Sequence, residues 1–217
     1  MRLLVLGATG PCGILLIREA LEKYPESTIV VYARSPEKLP EDLAGHKSLF
    51  IVKGLLTDAE AFSNALDGVD AVVSALGPST LFKTVSLTEC YEVVVDCMKK
   101  KNVNRIVLLG TASIADPNDT FSFKYKALIA TVAALAYPFY TEIVGFGETI
   151  RTKADELDWT IVRVPILTNN ESKDVVAGYV GDARVGITLT RRAFAAFVLQ
   201  EVEERRWVKK RPMISSP

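Results

Sequence analysis

Three evenly spaced glycines near the start of the chain have the pattern of a phosphate-binding loop. Gly7, Gly10 and Gly13 follow the apolar run 3–6 and precede a helical pattern that starts at Ile14. In this context the first glycine permits a tight turn, the second admits a pyrophosphate close to the backbone, and the third allows close helix–strand packing. Backbone N–H groups and the helix dipole then favour the anion. The predicted phosphate-binding residues are Gly7, Thr9, Gly10, Pro11, Cys12 and Gly13.

The end of the second predicted strand bears on which dinucleotide binds. An NAD site commonly places an acid there for the ribose 2′-hydroxyl. Here the strand ends in Tyr32-Ala33-Arg34-Ser35, without an acid. Arg34 would pair with a 2′-phosphate, Ser35 could donate a hydrogen bond, and Lys38 could add a second positive charge. The sequence therefore favours NADP over NAD, with a surface charge as the alternative role for Arg34 and Lys38.

Two hydroxyl-bearing residues are candidates for contact with a reacting group. Ser113 follows the fifth predicted strand, where it could bind a substrate carbonyl, although a turn serine is the alternative. Tyr140 lies near the start of a later helical segment, where it could instead be a packing aromatic. Tyr125 is a third choice, and Glu142 or Glu148 would act as a base only if buried. His46, the only histidine, is assigned no role.

These residues need a scaffold of alternating strands and helices. Short apolar runs predict strands at 3–6, 28–32, 49–52, 70–76, 105–109 and 159–163, and helical patterns predict helices at 58–66, with Thr57 as N-cap, and at 85–101. This alternation implies right-handed crossovers and a parallel sheet. We expect an α/β fold, a Rossmann-type doubly wound parallel sheet, as one domain over 1–217. Residues 115–153, called the insert below, contain helices over 121–137 and after Pro138 and form a predicted lid or substrate wall.

Composition excludes several other classes of protein. The 26 Lys and Arg residues balance the 26 Asp and Glu residues, whereas a duplex-binding protein normally has a basic excess. Lys209-Lys210-Arg211 is interpreted as an exposed tail. We expect no nucleic-acid or membrane partner, no metal site, a cytoplasmic location and a monomer or homodimer. Apolar side chains in the insert favour an apolar or aromatic substrate, although they could equally form core or a dimer interface.

With these motifs, nearly the whole chain resembles the atypical short-chain dehydrogenases. More narrowly, it is similar to the NmrA-like NAD(P)H-binding proteins and to the biliverdin-IXβ/flavin reductases. The resemblance depends on the glycine loop, Arg34 to Pro40, Ser74 to Gly77, Gly110 to Ser113, and Leu157 to Pro165. It implies further cofactor contacts: Leu55 and Leu56 near adenine, Leu76 and Gly77 along the ribose and phosphates, Thr111 and Ala112 beside the nicotinamide with Ser113, and Pro165 and Ile166 at its carboxamide.

One departure from that family concerns catalysis. Short-chain dehydrogenases usually carry a Tyr-x-x-x-Lys pair, but Tyr125, Tyr137 and Tyr140 are each followed four residues later by a residue other than lysine. The flavin reductase group also lacks the pair, and its catalysis is attributed to positioning of hydride donor and acceptor. The resemblance therefore predicts an NADPH-dependent oxidoreductase acting on a flavin, quinone or ketone. An NADP-binding redox sensor acting through a protein partner, or a non-redox isomerase or cyclase, remains an alternative.

Overall fold

The computed structural model describes residues 1–77 and 86–217. The strands are β1 (Arg2–Leu6), β2 (Thr28–Ala33), β3 (Leu49–Lys53), β4 (Ala71–Ser74), β5 (Arg105–Thr111), β6 (Asp158–Val164), β7 (Ile166–Thr168), β8 (Val176–Gly178), β9 (Thr188–Thr190) and β10 (Met213–Ser215). The helices are α1 (Pro11–Lys23), α2 (Glu41–Ala44), α3 (Ala59–Ala65), α4 (Leu87–Lys100), α5 (Phe123–Leu135), α6 (Tyr137–Lys153) and α7 (Arg191–Glu204).

Eight of these strands form one sheet in the order β3-β2-β1-β4-β5-β6-β10-β8. All neighbouring pairs are parallel except β10 with β8. The strand order changes direction between β1 and β4, because β2 and β3 extend to one side and β4 to β6 to the other. In open α/β sheets, ligands bind in the crevice at such a reversal, beyond the carboxyl ends of the strands.

The sheet separates two apolar layers. Alternate residues of β1 point to opposite sides: Leu3 and Val5 join the layer of α1 and α7, whereas Leu4 and Leu6 join the layer of α3, α4 and α6. This alternation is the period of two expected of a strand. Because both faces are covered, the strands are continuous apolar runs, as the sequence predicted. The expected α/β fold, one Rossmann-type domain with a helical insert between β5 and β6, is confirmed.

Several local predictions were less accurate. The N-cap of α3 is Asp58, whose side chain accepts from the Ala61 N–H at 3.0 Å, and not Thr57. Aspartate is the stronger cap because its carboxylate also matches the helix dipole. The start predicted for α4, Val85, lies outside the described residues, and α4 begins after Ser86, which forms a capping box with Glu89. The insert bends at Ala136, between α5 and α6.

The C-terminal segment is the largest correction to the predicted elements. The supposed exposed tail leads into the sheet: the Ile161 N–H donates to the carbonyl of Lys210 at 3.2 Å, and β10 pairs with both β6 and β8. Arg211 is half-buried and forms an ion pair with Asp116 at 3.2 Å. Lys209 and Lys210 are nevertheless exposed. The basic residues therefore lie directly before β10, an inner strand between β6 and β8, and Arg211 connects this segment to Asp116 at the base of the insert.

Among the described residues, no single helix is long and apolar enough to cross a membrane. Helices α5 and α6 reach that length and apolar character only together, as a pair bent by 116°.

Candidate functional site

The glycine loop has the tight geometry that its sequence predicted. Gly7 has a φ of +71°, and a Cβ there would lie 2.7 Å from the carbonyl carbon of Ala75 at the end of β4. A Cβ at Gly13 would lie 2.1 Å from the carbonyl oxygen of Gly7. Gly10 is the N-cap of α1, and its N–H donates to the Gly7 carbonyl at 3.0 Å. Side chains at Gly7 and Gly13 are thus excluded, which leaves a bare backbone turn at a helix N-terminus.

A cavity of about 450 Å³ opens over this loop at the reversal of strand order. We call it the glycine-loop cavity. The predicted cofactor-binding residues that line it are Gly7, Thr9, Gly10, Arg34, Ser35, Lys38, Leu55, Leu56, Leu76 and Gly77. Pro11, Cys12 and Gly13 form the first turn of α1, directly after the loop.

The cationic side chains at the end of β2 lie at the edge of this cavity. Arg34 and Lys38 are exposed, and within residues 1–77 and 86–217 neither has a carboxylate within 4.0 Å. Ser35 begins the single turn Pro36–Lys38, whose Lys38 N–H donates to the Ser35 carbonyl at 3.1 Å. This turn folds the chain back so that Lys38 faces the same cavity as Arg34. The two positive charges are therefore available to an anionic group.

One wall of the cavity contains a contact that the sequence analysis missed. The Tyr32 hydroxyl donates to the Leu55 carbonyl at 2.9 Å, and burial raises the pKa of Tyr32 to about 12. A Cβ at Gly54 would lie 2.2 Å from the Tyr32 hydroxyl oxygen, so a larger residue there would displace the Tyr32 side chain. The Leu55 carbonyl also accepts from the Asp58 N–H at 3.0 Å. The Leu55 carbonyl therefore accepts two hydrogen bonds within the protein, one from a side chain and one from the backbone.

A second cavity, of about 210 Å³, lies between the insert and the ends of β5 and β6. We call it the insert cavity. The remaining predicted residues line it: Thr111, Ala112, Ser113, Tyr140, Pro165 and Ile166. Its other described walls are apolar and come from Leu128, Ile129 and Val132 of α5, Phe139 and Ile143 of α6, and Val164 of β6. The few hydroxyl groups would therefore decide how a ligand is oriented there.

The hydroxyl-bearing candidates are held differently within this cavity. The Ser113 N–H donates to Oγ1 of Thr111 at 3.2 Å, a local turn that fixes the backbone after β5. Tyr140 is half-buried, and its ring stacks on Tyr137 with centroids 6.2 Å apart. The structure thus brings Ser113, which follows β5, and Tyr140 of α6 to one cavity.

The other candidate acids and bases have structural roles. Tyr125 is buried and donates to the Gly186 carbonyl at 2.5 Å, and burial raises its pKa to about 12. Glu142 accepts from the Leu87 N–H at 2.6 Å at the start of α4, and Glu148 is exposed and paired with Arg151. His46 accepts from the Ser48 N–H at 3.2 Å. Among the described residues, no group of three or more His, Cys, Asp or Glu side chains is placed to hold a metal ion.

Arg191 is a further cation that the sequence analysis missed. It begins α7, which packs along α1, and donates to Oδ1 of Asn169 at 2.6 Å. Burial raises the pKa of the Cys12 thiol, and the neighbouring Arg191 guanidinium opposes this shift. Arg191 thus connects the segment after β7 to the start of α7, close to Cys12 of α1. In the sequence, Arg191 directly follows Thr190, the N-cap of α7. That position alone does not predict that the Arg191 side chain contacts Asn169.

The base of the insert is held by a buried ion pair. Arg163 of β6 is fully buried and donates to both carboxylate oxygens of Asp119 at 2.7 Å, and also to the carbonyls of Ile114 and Arg211. Burial alone would raise the pKa of Asp119, but the hydrogen bonds and charge of Arg163 lower it below its ordinary value. This bidentate pair fixes the loop that connects Ser113 to α5.

Comparisons with known proteins agree with this architecture. A short-chain dehydrogenase/reductase from Veillonella parvula is 17% identical, with a TM-score of 0.82 over 100% of this chain and 94% of that chain. A second structure of this description from that species, in complex with NADP, has a TM-score of 0.79 at 17% identity, over 100% of this chain and 94% of that one. The anaerobilin reductase ChuY from Escherichia coli O157:H7 is also 17% identical, with a TM-score of 0.76 over 100% of this chain and 98% of its own. At these identities the likeness shows the fold.

Comparison of the sequence with known families and curated proteins shows which family the chain belongs to. The oxidoreductase ordB from Dothistroma septosporum is 29% identical over 123 residues, which are 52% of this chain. The matched residues cover 46% of ordB, so the chain spans about half the length of that curated relative. A family model described as NAD(P)H-binding matches residues 7–205, from the first glycine of the loop to the end of α7. The glycine loop, the cavity above it and this match agree, and the chain belongs to the NAD(P)H-binding family.

Proposed function

We propose that this protein is an NADPH-dependent oxidoreductase that reduces a small planar or carbonyl-bearing substrate. The observation that carries the proposal is the arrangement of two cavities along one sheet edge. The glycine-loop cavity lies at the ends of β1, β2 and β4, and the insert cavity at the ends of β5 and β6, which follow directly in the sheet. A dinucleotide extended along this edge would bring its nicotinamide to the mouth of the insert cavity.

The residues present fit a phosphorylated dinucleotide. Gly7 and Gly13 leave space that a Cβ would fill, so a pyrophosphate can approach the backbone at the start of α1. Arg34 and Lys38 offer positive charge without a carboxylate partner in the described part of the chain, which favours a 2′-phosphate and hence NADPH over NADH. Thr111, Ala112, Pro165 and Ile166 would hold the nicotinamide between the ends of β5 and β6.

NADPH, when bound, supplies a hydride to the substrate, which also takes up one proton from water as NADP⁺ is released. The chain's own contribution is to hold the substrate flat against the nicotinamide. Ser113 and Tyr140 donate hydrogen bonds to the acceptor oxygen or nitrogen. The apolar walls select a flavin, quinone or ketone that is itself apolar or aromatic.

The first test is to titrate the purified protein with NADPH and NADH, and then to follow oxidation of the reduced nicotinamide with flavin, quinone and ketone acceptors. We expect tight NADPH binding, weaker NADH binding and acceptor-dependent turnover. Tight binding without turnover on any acceptor class would favour a redox sensor or a non-redox enzyme. Failure to bind either nucleotide would overturn the proposal.

A further inference from the structure

The insert carries an unusual stretch of sequence that its place in the site does not explain. Residues 120–141, 22 in all, contain two lysines and neither aspartate nor glutamate, although charged residues make up 24% of the chain. The stretch covers α5 and the first turns of α6. Its charge is therefore positive, and 16 of its other 20 residues are apolar or aromatic.

Most of this apolar surface points outward. Tyr125 is the one buried residue of α5, whereas α7, of similar length, buries eight of its residues. The exposed fractions of Phe121, Phe123 and Leu135 are 78%, 76% and 84%. Phe121 and Phe123 lie at one end of α5 and Leu135 at the other, so the helix exposes large apolar side chains at both ends. Exposed apolar surface on this scale often marks an interaction site. We call the surface formed by Phe121, Phe123, Leu135 and Tyr137 the outer face of the insert.

The structure holds this face in place. The Tyr125 hydrogen bond to Gly186 anchors the start of α5, and the bend of 116° at Ala136 sets α5 across α6. On its inner side, α5 provides Leu128, Ile129 and Val132 to the insert cavity. One helix therefore separates the cavity from whatever covers the outer face.

Charge and aromatic residues indicate what covers it. Lys124 and Lys126 are exposed, and in the described part of the chain neither has a carboxylate within 4.0 Å. The Lys126 ammonium lies 6.0 Å from the Phe121 ring centroid. Exposed aromatic and apolar side chains would be buried by contact with the lipid interface, and the two lysines beside them would be attracted to anionic headgroups. Thirteen residues of helix extend only about 20 Å, too short to cross a bilayer.

We propose that the outer face of the insert docks on an anionic phospholipid surface, with α5 lying in the interface. The sequence analysis expected no membrane partner, because it considered only spanning segments. A second copy of this chain fits less well: a two-fold contact would bring Lys124 and Lys126 of both copies to one acid-free interface. The proposal concerns a different surface from the nucleotide site and does not require turnover.

The test is co-sedimentation of the full chain with vesicles of mixed phosphatidylcholine and phosphatidylglycerol, and with vesicles of phosphatidylcholine alone. We expect binding to the mixed vesicles that weakens with salt, and much less binding to the neutral ones. Replacing Lys124 and Lys126 by Ala should weaken binding about fivefold for each lysine removed. Lys47→Ala, an exposed lysine outside the insert, is the matched control and should change nothing.

Leu135→Glu tests the apolar part of the face and should abolish vesicle binding, whereas Phe50→Glu, at an exposed aromatic on β3, should leave it intact. NADPH titration and thermal unfolding check that each variant is folded. Equal losses in Leu135→Glu and Phe50→Glu, or no binding by the parent protein, would overturn the proposal. A parent dimer that Leu135→Glu converts to a monomer, without vesicle binding, would assign the face to a second copy.

Discussion

The two cavities lie along one edge of the same sheet but are formed in different ways. The glycine-loop cavity owes its shape to backbone: a φ of +71° at Gly7 and the close approach of Gly13 to the Gly7 carbonyl. The insert cavity is lined by side chains from α5, α6 and the ends of β5 and β6. Backbone geometry requires particular residue types at fixed spacing, whereas an apolar wall tolerates many side chains. The first cavity should therefore be sensitive to single methyl groups, and the second should respond gradually.

The largest effect should come from adding one methyl group to the glycine loop. In Gly13→Ala the new Cβ would lie 2.1 Å from the Gly7 oxygen, so the loop must move away from α1. Because the proposed nucleotide would depend on that loop for several charge-assisted hydrogen bonds to its phosphates, NADPH affinity should fall by more than about 100-fold. A fluorescence titration measures this loss. Gly45→Ala, where a Cβ meets nothing within 4 Å, should bind like the parent protein. If Gly13→Ala also bound normally, the backbone account of the loop would be wrong.

The same contrast explains which parts of the molecule were predictable from sequence. The phosphate loop, the sheet and Arg34 follow local rules of spacing and strand alternation, and each was predicted. The Tyr32–Leu55 contact, the Arg191–Asn169 contact and the pairing of β10 with β6 depend on residues distant in sequence, which no local pattern connects. Lys209-Lys210-Arg211 resembled a tail because the strand after it has only three residues, Met213–Ser215. Gly54 is the one local signal of the Tyr32 contact, because the Tyr32 hydroxyl lies where a Cβ at position 54 would be.

The second effect concerns the stability of the insert. Asp119→Asn removes the charge that balances the buried guanidinium of Arg163, and breaking such a pair costs about 3–5 kcal/mol. The folded-state pKa of Asp119 is lowered, so its contribution is present above the unfolded-state pKa of about 3.9 and is lost as pH falls through the folded value. The difference between variant and parent should therefore be large near neutral pH and shrink in acid.

Denaturant unfolding at neutral pH and near pH 3 measures that difference. Asp42→Asn is the control, because Asp42 pairs with Arg18 at an exposed position and should change stability far less. A constant difference at both pH values would show that the Asp119 carboxylate does not act through its charge.

The third effect should separate the two nucleotides. Arg34→Gln removes the charge that we assign to the 2′-phosphate, and charge-assisted hydrogen bonds of this kind are worth about 1.5–3 kcal/mol, or roughly 10- to 100-fold in affinity. NADPH binding should weaken by this factor, whereas NADH binding should stay the same. Arg206→Gln, an exposed arginine beyond α7, is the matched control. Equal weakening of both nucleotides would place Arg34 away from the 2′-phosphate.

The smallest effect should come from the insert cavity, where Ser113→Ala and Tyr140→Phe each remove one hydroxyl. If catalysis depends on positioning, each loses one neutral hydrogen bond, worth about 0.5–1.5 kcal/mol, and kcat/KM with a quinone or flavin should fall about two- to tenfold. A general acid contributes more, about 100-fold or above. Tyr137→Phe, next to Tyr140 in the stacked pair, is the control and should be silent. A loss of 100-fold in Tyr140→Phe alone would make Tyr140 the proton donor, and this cavity would then depend on a single atom as strictly as the glycine loop does.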